Sequence, residues 1–358
     1  MTKYFPGLQG AVINCDNNSP DNTKGVFLKA RTDVPKIYIS TPPGIAGKGY
    51  NFENLFGLVK TLGAKIVVVV DADLKSITPE WIKYFAEPIL KKGFDYVTPV
   101  YSRHKYDGTI TNNICFPITY GLFGKNIRQP IGGDFAFSRK LCLYWMTQKW
   151  NTAIRQYGID IFQSAHAVMG GFKICQAGLG AKIHKPSAPK LGPMFVQVVQ
   201  SLFSIVVANK RKLANVKRVQ NTPMYGLKKL AKPQDLTVSL QKIRAQALDG
   251  FAQSHKDIKK FLAPENYAAI EPMFRKKRLT IPPELWIRMV FDMIAAFARA
   301  GSAKQQERLA EALKPLYFGR VTTIIKKTYD WSTPRTDKEF LAQAKLFFKM
   351  RKYLIKKL

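Results

Sequence analysis

Apolar and polar positions follow two rhythms along this chain. In the first half, short runs with strand spacing alternate with segments of helical spacing. Gly10–Cys15 is a short apolar run that ends in a turn-rich stretch, Asp16-Asn17-Asn18-Ser19-Pro20-Asp21. Lys36–Ser40 alternates as a strand does and stops at Pro42-Pro43-Gly44. Lys65–Val70 is a continuous β-branched run, the pattern of a strand buried on both faces. Asp95–Tyr101 is a further strand. Between these, Asn51–Leu62 places Phe52, Leu55, Phe56 and Val59 at helical spacing. Thr78–Lys92 opens with a cap, a first-turn proline and an early acid. The alternation predicts an α/β domain with a mostly parallel sheet flanked by helices.

The middle of the chain is less regular. Ile131–Phe137 holds a Gly-Gly-Asp turn followed by a strand, and Asp160–Met169 has helical spacing. Phe172–Cys175 and Ala181–His184 have the form of two short strands joined through Gly178 and Gly180. From about residue 190 the pattern is helical almost throughout. This divides the chain into an α/β domain, 1–190, and a helical C-terminal region, 191–358. Phe340–Leu358 is a basic amphipathic helix whose apolar face packs on the body. Met194–Ala208 is the longest uncharged apolar stretch. It falls short of the about 20 residues that cross a bilayer, so it is expected to be a buried helix and to offer a face for a homodimer. No transmembrane segment is expected, and contact with a membrane surface would be peripheral.

Composition narrows the classes. Of 358 residues, 46% are hydrophobic, enough for a substantial core. The four cysteines, Cys15, Cys115, Cys142 and Cys175, form no CxxC pair, which disfavours zinc knuckles and disulfide frameworks and suits a reducing cytoplasmic location. Residues 1–10 lack the pattern of a signal peptide. The net charge is +33 and uneven: residues 1–200 carry 24 Lys/Arg against 12 Asp/Glu, and residues 201–358 carry 33 against 12. Such a surface attracts nucleic acid, anionic lipid or phosphorylated small molecules, and charge alone does not choose among them.

Candidate chemistry centres on Val70-Asp71-Ala72-Asp73. Two acids one residue apart at the carboxyl end of a strand lie where open α/β sheets bind ligands. On extended backbone they would face the same way and call for a cation, and hard oxygen ligands suit Mg²⁺ or Mn²⁺. The Asp16, Asn17 and Ser19 turn supplies short polar groups for a base or ribose. Gly47-Lys48-Gly49 precedes a helix, where glycines allow close backbone approach to a phosphate and Lys48 adds charge. His184, in Ala181-Lys182-Ile183-His184-Lys185-Pro186, is the favoured third ligand for the acid pair, and Lys182 would share its face and meet a phosphate.

Taken in order, these motifs, with Gln129-Pro130-Ile131-Gly132-Gly133-Asp134 and Tyr157-Gly158-Ile159-Asp160, form a pattern that resembles the retaining GT-A glycosyltransferases of the mannosylglycerate, glucosylglycerate and glucosyl-3-phosphoglycerate synthase group. Pro315-Leu316-Tyr317-Phe318-Gly319-Arg320 extends the resemblance into the helical tail. The resemblance implies a nucleotide-diphosphate sugar donor, a small anionic acceptor such as glycerate or 3-phosphoglycerate, and retention of configuration. By position, it implies that Asp73 and His184 hold the metal and that Asp71 sits by the ribose. Lys48, Asp16, Asn17, Ser19 and Lys182 would contact the nucleotide sugar. Asp134 and Asp160 would lie at the reacting centre, and Thr109, Thr111 and Asn112 would form the acceptor loop.

Two departures qualify it. Relatives that use a phosphorylated acceptor carry arginine where this chain has Thr109, with Arg103, His104 or Lys105 as nearby substitutes. The chain also opens at what resembles the end of the group's first helix, so a strand expected between the Gly10–Cys15 and Lys65–Val70 strands is missing. Unpaired backbone there would cost about 1–3 kcal/mol per buried group, and impaired folding or activity is expected. Two other readings compete. One is a membrane-surface transferase acting on a polyprenyl phosphate or lipid. The other is a nucleic-acid-binding protein, suggested only by charge and without a recognisable module.

Overall fold

The computed structural model describes residues 3–183, 191–228 and 231–358. Its first part runs β1 (Val12–Asp16), α1 (Thr23–Lys29), β2 (Lys36–Ser40), α2 (Lys48–Leu62), β3 (Ile66–Val69), α3 (Pro79–Lys92) and β4 (Tyr96–Ser102). A π-helical turn, Thr111–Cys115, leads into α4 (Phe116–Gly121). There follow β5 (Lys125–Asn126), β6 (Phe135–Ser138), α5 (Arg139–Met146), α6 (Thr152–Arg155), α7 (Ile159–Met169) and β7 (Ile174–Ala181). The remainder is α8 (Leu191–Ala208), α9 (Lys210–Ala214), β8 (Gln220–Asn221), β9 (Met224–Gly226), α10 (Leu240–Phe261), α11 (Pro264–Arg275), α12 (Pro283–Ala298), α13 (Ala303–Thr328) and α14 (Thr333–Ile355).

The main sheet has five strands in the order β3-β6-β4-β7-β9. β4, β7 and β9 are parallel, while β6 runs antiparallel to both of its neighbours. β3, β4, β7 and β9 therefore share one direction and β6 alone is reversed, so the sheet is mostly parallel, as the sequence pattern predicts. Side chains alternate across it as the pleat demands. Phe135 and Phe137 enter one core with Tyr96, Phe56 and Trp145, and Ala136 enters the other with Val97, Trp81 and Phe85. The first core continues into α8, α12 and α13, so one apolar body joins the sheet to the helical tail.

Three expectations are corrected. The two short strands flanking Gly178 and Gly180 are one strand, β7, which runs through both glycines with a bulge opposite Val100/Tyr101. Gly178 is required there because a Cβ would lie 2.1 Å from the Leu227 carbonyl oxygen. The apolar helix α8 is longer than the uncharged stretch suggested. Its 18 residues are long and apolar enough to cross a bilayer by length and composition, yet half of it is buried, against α6, α7, α12 and α13. The β-branched run of β3 is not buried on both faces, since every residue of it is half-buried.

That last correction has a topological cause. β3 pairs only with β6, and β1 pairs only with β2, in a separate two-stranded parallel ladder. Among the described residues, each of these strands keeps one edge without a ladder partner. Edge amides open at lower free energy than amides bonded within a sheet. In hydrogen-exchange mass spectrometry, peptides covering β1 and β3 should therefore exchange their outward-facing amides at least about tenfold faster than the Tyr96–Val97 segment, which is paired on both sides. Equal protection across the three segments would mean that the free edges are covered.

Candidate functional site

Extended backbone ends at Val69, and a turn closed by the Leu74 amide on the Asp71 carbonyl (3.4 Å) re-aims residues 71–74. The two acids therefore do not share a face. Asp73 is exposed, whereas Asp71 turns inward between two ammonium groups. Lys48 Nζ, from the first residue of α2, lies 2.9 Å from Asp71 Oδ1, and Lys182 Nζ, just past β7, lies 3.2 Å from Oδ2. The cation that the paired charges were expected to need is supplied differently at Asp71, because lysines neutralise it. Burial alone would raise its carboxyl, but Lys48 and Lys182 outweigh burial and hold it well below the usual carboxylate range. Burial would likewise lower the Lys48 ammonium, but Asp160 and Asp71 raise it well above the ordinary lysine value.

Behind this pair sits Asp134, with no exposed surface. Its Oδ1 accepts the Asp71 amide at 2.7 Å, and its Oδ2 accepts from Lys182 Nζ at 2.8 Å and from the Tyr101 hydroxyl. Burial, followed by the Asp134 charge, pushes the Tyr101 hydroxyl far above its ordinary value, so it donates rather than ionises. Lys182 also donates to the Gly132 carbonyl at 2.8 Å and lies over the Tyr101 ring. The Gly-Gly-Asp turn has a steric reason. Gly133 has φ +91°, and a Cβ there would lie 2.2 Å from Asp71 Oδ2.

Asp160, in the first turn of α7, completes the cluster. Lys48 Nζ lies 3.2 Å from its Oδ1 and 3.3 Å from its Oδ2, but only Oδ2 receives the ammonium in hydrogen-bonding geometry. Oδ1 is buried with no hydrogen-bond partner among the described residues. Burial raises the Asp160 carboxyl above its ordinary value despite Lys48. Lys48, Asp71, Asp134, Asp160 and Lys182 are thus gathered from five places in the sequence to the carboxyl ends of β3 and β7, the crevice where open α/β sheets bind ligands.

The Asp16 turn is knitted into its own loop. Asp16 accepts from the Ser19 amide (2.8 Å), the Ser19 hydroxyl (2.5 Å) and Tyr38 (2.8 Å). Burial alone would raise its carboxyl, but these bonds hold it below the ordinary value. Asn17 accepts from the Gly47 amide (3.0 Å) and donates to Asn51. Glycine at 47 and 49 serves close chain packing: a Cβ would lie 2.4 Å from the Arg155 oxygen and 2.0 Å from the Ile154 oxygen, respectively. The Gly49 amide is taken by the Gln156 carbonyl (3.2 Å). The expected purpose of these glycines, approach to a phosphate, is thus displaced by packing against residues 154–156.

Next to Tyr101 opens a small pocket of 60 Å³, lined by Arg103, Asp107, Thr111, Asn112, Arg128 and Gln129 among others. The helical tail holds its loop in shape. Thr109 shares a 2.6 Å hydrogen bond with Tyr317, and Trp286 donates to the Asn113 carbonyl at 3.1 Å. Arg320, only 2% exposed, donates to Gln343, which in turn donates to the Asn112 carbonyl at 3.2 Å. Of the three candidate substitutes for the missing arginine, Lys105 is committed to the carbonyls of Thr328, Tyr329 and Trp331 at the end of α13. Burial lowers His104, which therefore favours its neutral form. Arg103 is the better placed: it lines the pocket, with Nη1 3.5 Å from Asp107 Oδ2 and its Nε buried with no hydrogen-bond partner among the described residues. Arg128 was not singled out from sequence. It donates to Asn112 Oδ1 at 2.9 Å and to Asp337 at 2.8 Å. The signal that would have found it is its place directly before Gln129-Pro130-Ile131-Gly132-Gly133-Asp134.

Among the described residues, no three His, Cys, Asp or Glu side chains lie close enough to hold a metal ion. His184, expected as a ligand, lies outside the described residues, as do Lys185 and Pro186. The residue before it is anchored: the Ile183 amide donates to Ser76 Oγ at 3.0 Å, and its carbonyl accepts the Lys75 amide at 2.9 Å. The chain at Ile183 therefore runs beside the loop that carries Asp73.

No family model matches the chain, and no curated protein sequence matches it. Several solved structures do. Glucosyl-3-phosphoglycerate synthase from Mycobacterium tuberculosis, in complex with phosphoglyceric acid, matches over 57% of this chain and 72% of its own, at 23% identity and a TM-score of 0.47. The same enzyme with Mn²⁺, uridine-diphosphate-glucose and phosphoglyceric acid matches over 54% and 67%, at 25% identity and a TM-score of 0.42. A structure described only as a mycobacterial protein matches over 57% and 67%, at 26% identity and a TM-score of 0.45. At TM-scores below 0.5, the functional reading rests on the residues of the site itself.

Proposed function

We propose that the protein is a cytoplasmic glycosyltransferase that moves a hexose from a nucleotide-diphosphate sugar to a small anionic acceptor, with retention of configuration. The observation that carries this reading is the convergence of Lys48 and Lys182 on Asp71 at the carboxyl ends of β3 and β7, with an arginine-lined pocket one residue, Tyr101, away. Lys48 and Lys182 are preorganised ammonium donors for a diphosphate leaving group, and because Asp71, Asp134 and Asp160 already share their charge, the diphosphate would take over one of those contacts. The raised Lys48 ammonium supplies charge that does not depend on pH in the neutral range. The pocket beside it has room for one carboxylate or phosphate group.

In the reaction, the acceptor hydroxyl oxygen bonds to the anomeric carbon on the face from which the diphosphate departs, as retention in a single step requires, and the bond from that carbon to the diphosphate oxygen breaks, the electron pair leaving with the diphosphate. Lys48 neutralises the growing charge. Asp160, whose carboxyl is raised by burial and whose Oδ1 has Lys48 at 3.2 Å but no hydrogen-bond partner among the described residues, would take the hydroxyl proton. Asp134 braces Asp71, Tyr101 and Lys182 and so fixes the lysine. Asp16, Asn17 and Ser19 shape the loop that receives the nucleotide. Thr109, Thr111 and Asn112 shape the acceptor pocket, and Arg103 and Arg128 hold the acceptor's anionic group.

Mg²⁺ or Mn²⁺ would be held by Asp73, exposed in the turn after β3, and by His184. The anchoring of Ile183 to Lys75 and Ser76 supports this assignment. When bound, the metal adds Lewis-acid charge at the diphosphate.

A donor-by-acceptor product screen with Mg²⁺ and Mn²⁺ tests the reading, and the absence of sugar transfer from every nucleotide-sugar donor would end it. Substituting Lys48 by Met should lower kcat by about 10²–10³-fold, the range for removing one preorganised charge-stabilising group, in protein confirmed as folded by circular dichroism. Arg128→Ala should raise the acceptor KM about 10- to 100-fold, since a charge-assisted hydrogen bond contributes about 1.5–3 kcal/mol, and should leave the donor KM unchanged. A rise in donor KM alone would move the acceptor elsewhere.

A further inference from the structure

At the far end of β7 from Lys182, a second cavity of 510 Å³ opens between the end of α7, the start of β5 and the loop 215–220. Its volume is in the range of small-molecule sites, about 300–1,000 Å³. The eight residues of β7, at roughly 3.3 Å each, put the two sites roughly 25 Å apart, so this cavity is separate from the Lys48–Asp71 cluster. Four cations line it: Lys125, Lys173, Lys217 and Arg218. No acid lines it, and among the described residues none of the four cations is in an ion pair. Asp95 accepts the Lys173 amide at 3.1 Å, but its side chain does not line the cavity. Apolar surface from Phe123, Met169, Phe172 and Ile174 lies between the charges.

The carbonyl end of α7, which would repel an anion, is covered. The Met169 carbonyl accepts Lys212 Nζ at 3.0 Å, and the carbonyls of His166, Ala167 and Val168 accept the amides of Gly170, Phe172 and Gly171. Lys125 is partly buried, and burial lowers its ammonium, which an incoming anion would reverse. Cations without acidic partners around an apolar floor match a ligand that combines phosphate with a hydrophobic body.

We propose that this cavity is a second binding site, for an organic phosphate or diphosphate carried on an apolar or aromatic group. A nucleotide and a prenyl phosphate share that chemistry. The test is lysine acetylation footprinting by mass spectrometry on the full chain, with adenosine diphosphate, geranyl diphosphate or inorganic pyrophosphate added. At least one organic diphosphate should protect Lys125, Lys173 and Lys217, with a midpoint about tenfold or more below that of pyrophosphate, the contribution of the buried apolar part. The tighter of the two identifies the source. The Lys217→Glu/Arg218→Glu variant, changed only at exposed positions, should lose protection at Lys125 and Lys173 while its calorimetric affinity for a nucleotide sugar stays that of the unchanged protein. Protection by pyrophosphate equal to that by both organic ligands, no protection at all, or protection unchanged in the variant would overturn the proposal. Nucleotide-sugar binding is measured separately by calorimetry, so failure here and failure of the sugar-transfer reading are told apart.

Discussion

A carboxylate with no exposed surface must be compensated on every side, and Asp134 sets the terms for the whole site. Its two oxygens are spent on the Asp71 amide, the Tyr101 hydroxyl and the Lys182 ammonium. Those three bonds tie β6 to the end of β3, to β4 and to the end of β7. Gly133 has no side chain because Asp71 occupies the space a Cβ would need. Lys182 then reaches Asp71, and Lys48 closes the cluster from α2. Breaking a buried pair of this kind by removing one partner costs about 3–5 kcal/mol, so the geometry around Asp71 is held by stability as much as by function.

The helical tail serves the pocket from the other side. The loop between β4 and α4 carries Arg103, Thr109, Thr111 and Asn112, and it has little regular structure beyond one π-helical turn. Tyr317, Trp286 and Gln343 fasten it from α13, α12 and α14, and Arg320 fixes Gln343. Lys105 ties the same loop to the end of α13. A loop held at so many points can keep two guanidinium groups in place before a ligand arrives, which lowers the entropic cost of binding.

Much of the architecture was legible because periodicity is local. Lys36–Ser40 was bounded correctly from its alternation, and the β/α order of the first half follows from where the period changes. Asp71, Lys48 and Lys182 were singled out as candidates from strand ends and turn chemistry, Asp134 and Asp160 from the resemblance of the ordered motifs, and the five side chains meet in one cluster. What periodicity could not carry was partner choice. A β-branched run has the same pattern whether its neighbours cover one edge or two, so the half-burial of β3 was hidden. Two glycines inside an apolar stretch mark a break or a close approach equally well, and only the chain at Leu227 decides for β7.

The sequence by itself determined the elements, their order and the chemical types gathered at the strand ends, because those depend on neighbours within a few residues. Tertiary structure alone decided which charge meets which. It turned Asp71 toward two lysines and away from Asp73, bound Lys105 to a helix end, and set Arg128 beside Asn112. The reason is that electrostatic pairing depends on distances of a few ångströms between residues up to more than two hundred positions apart, and one-dimensional spacing holds no record of them.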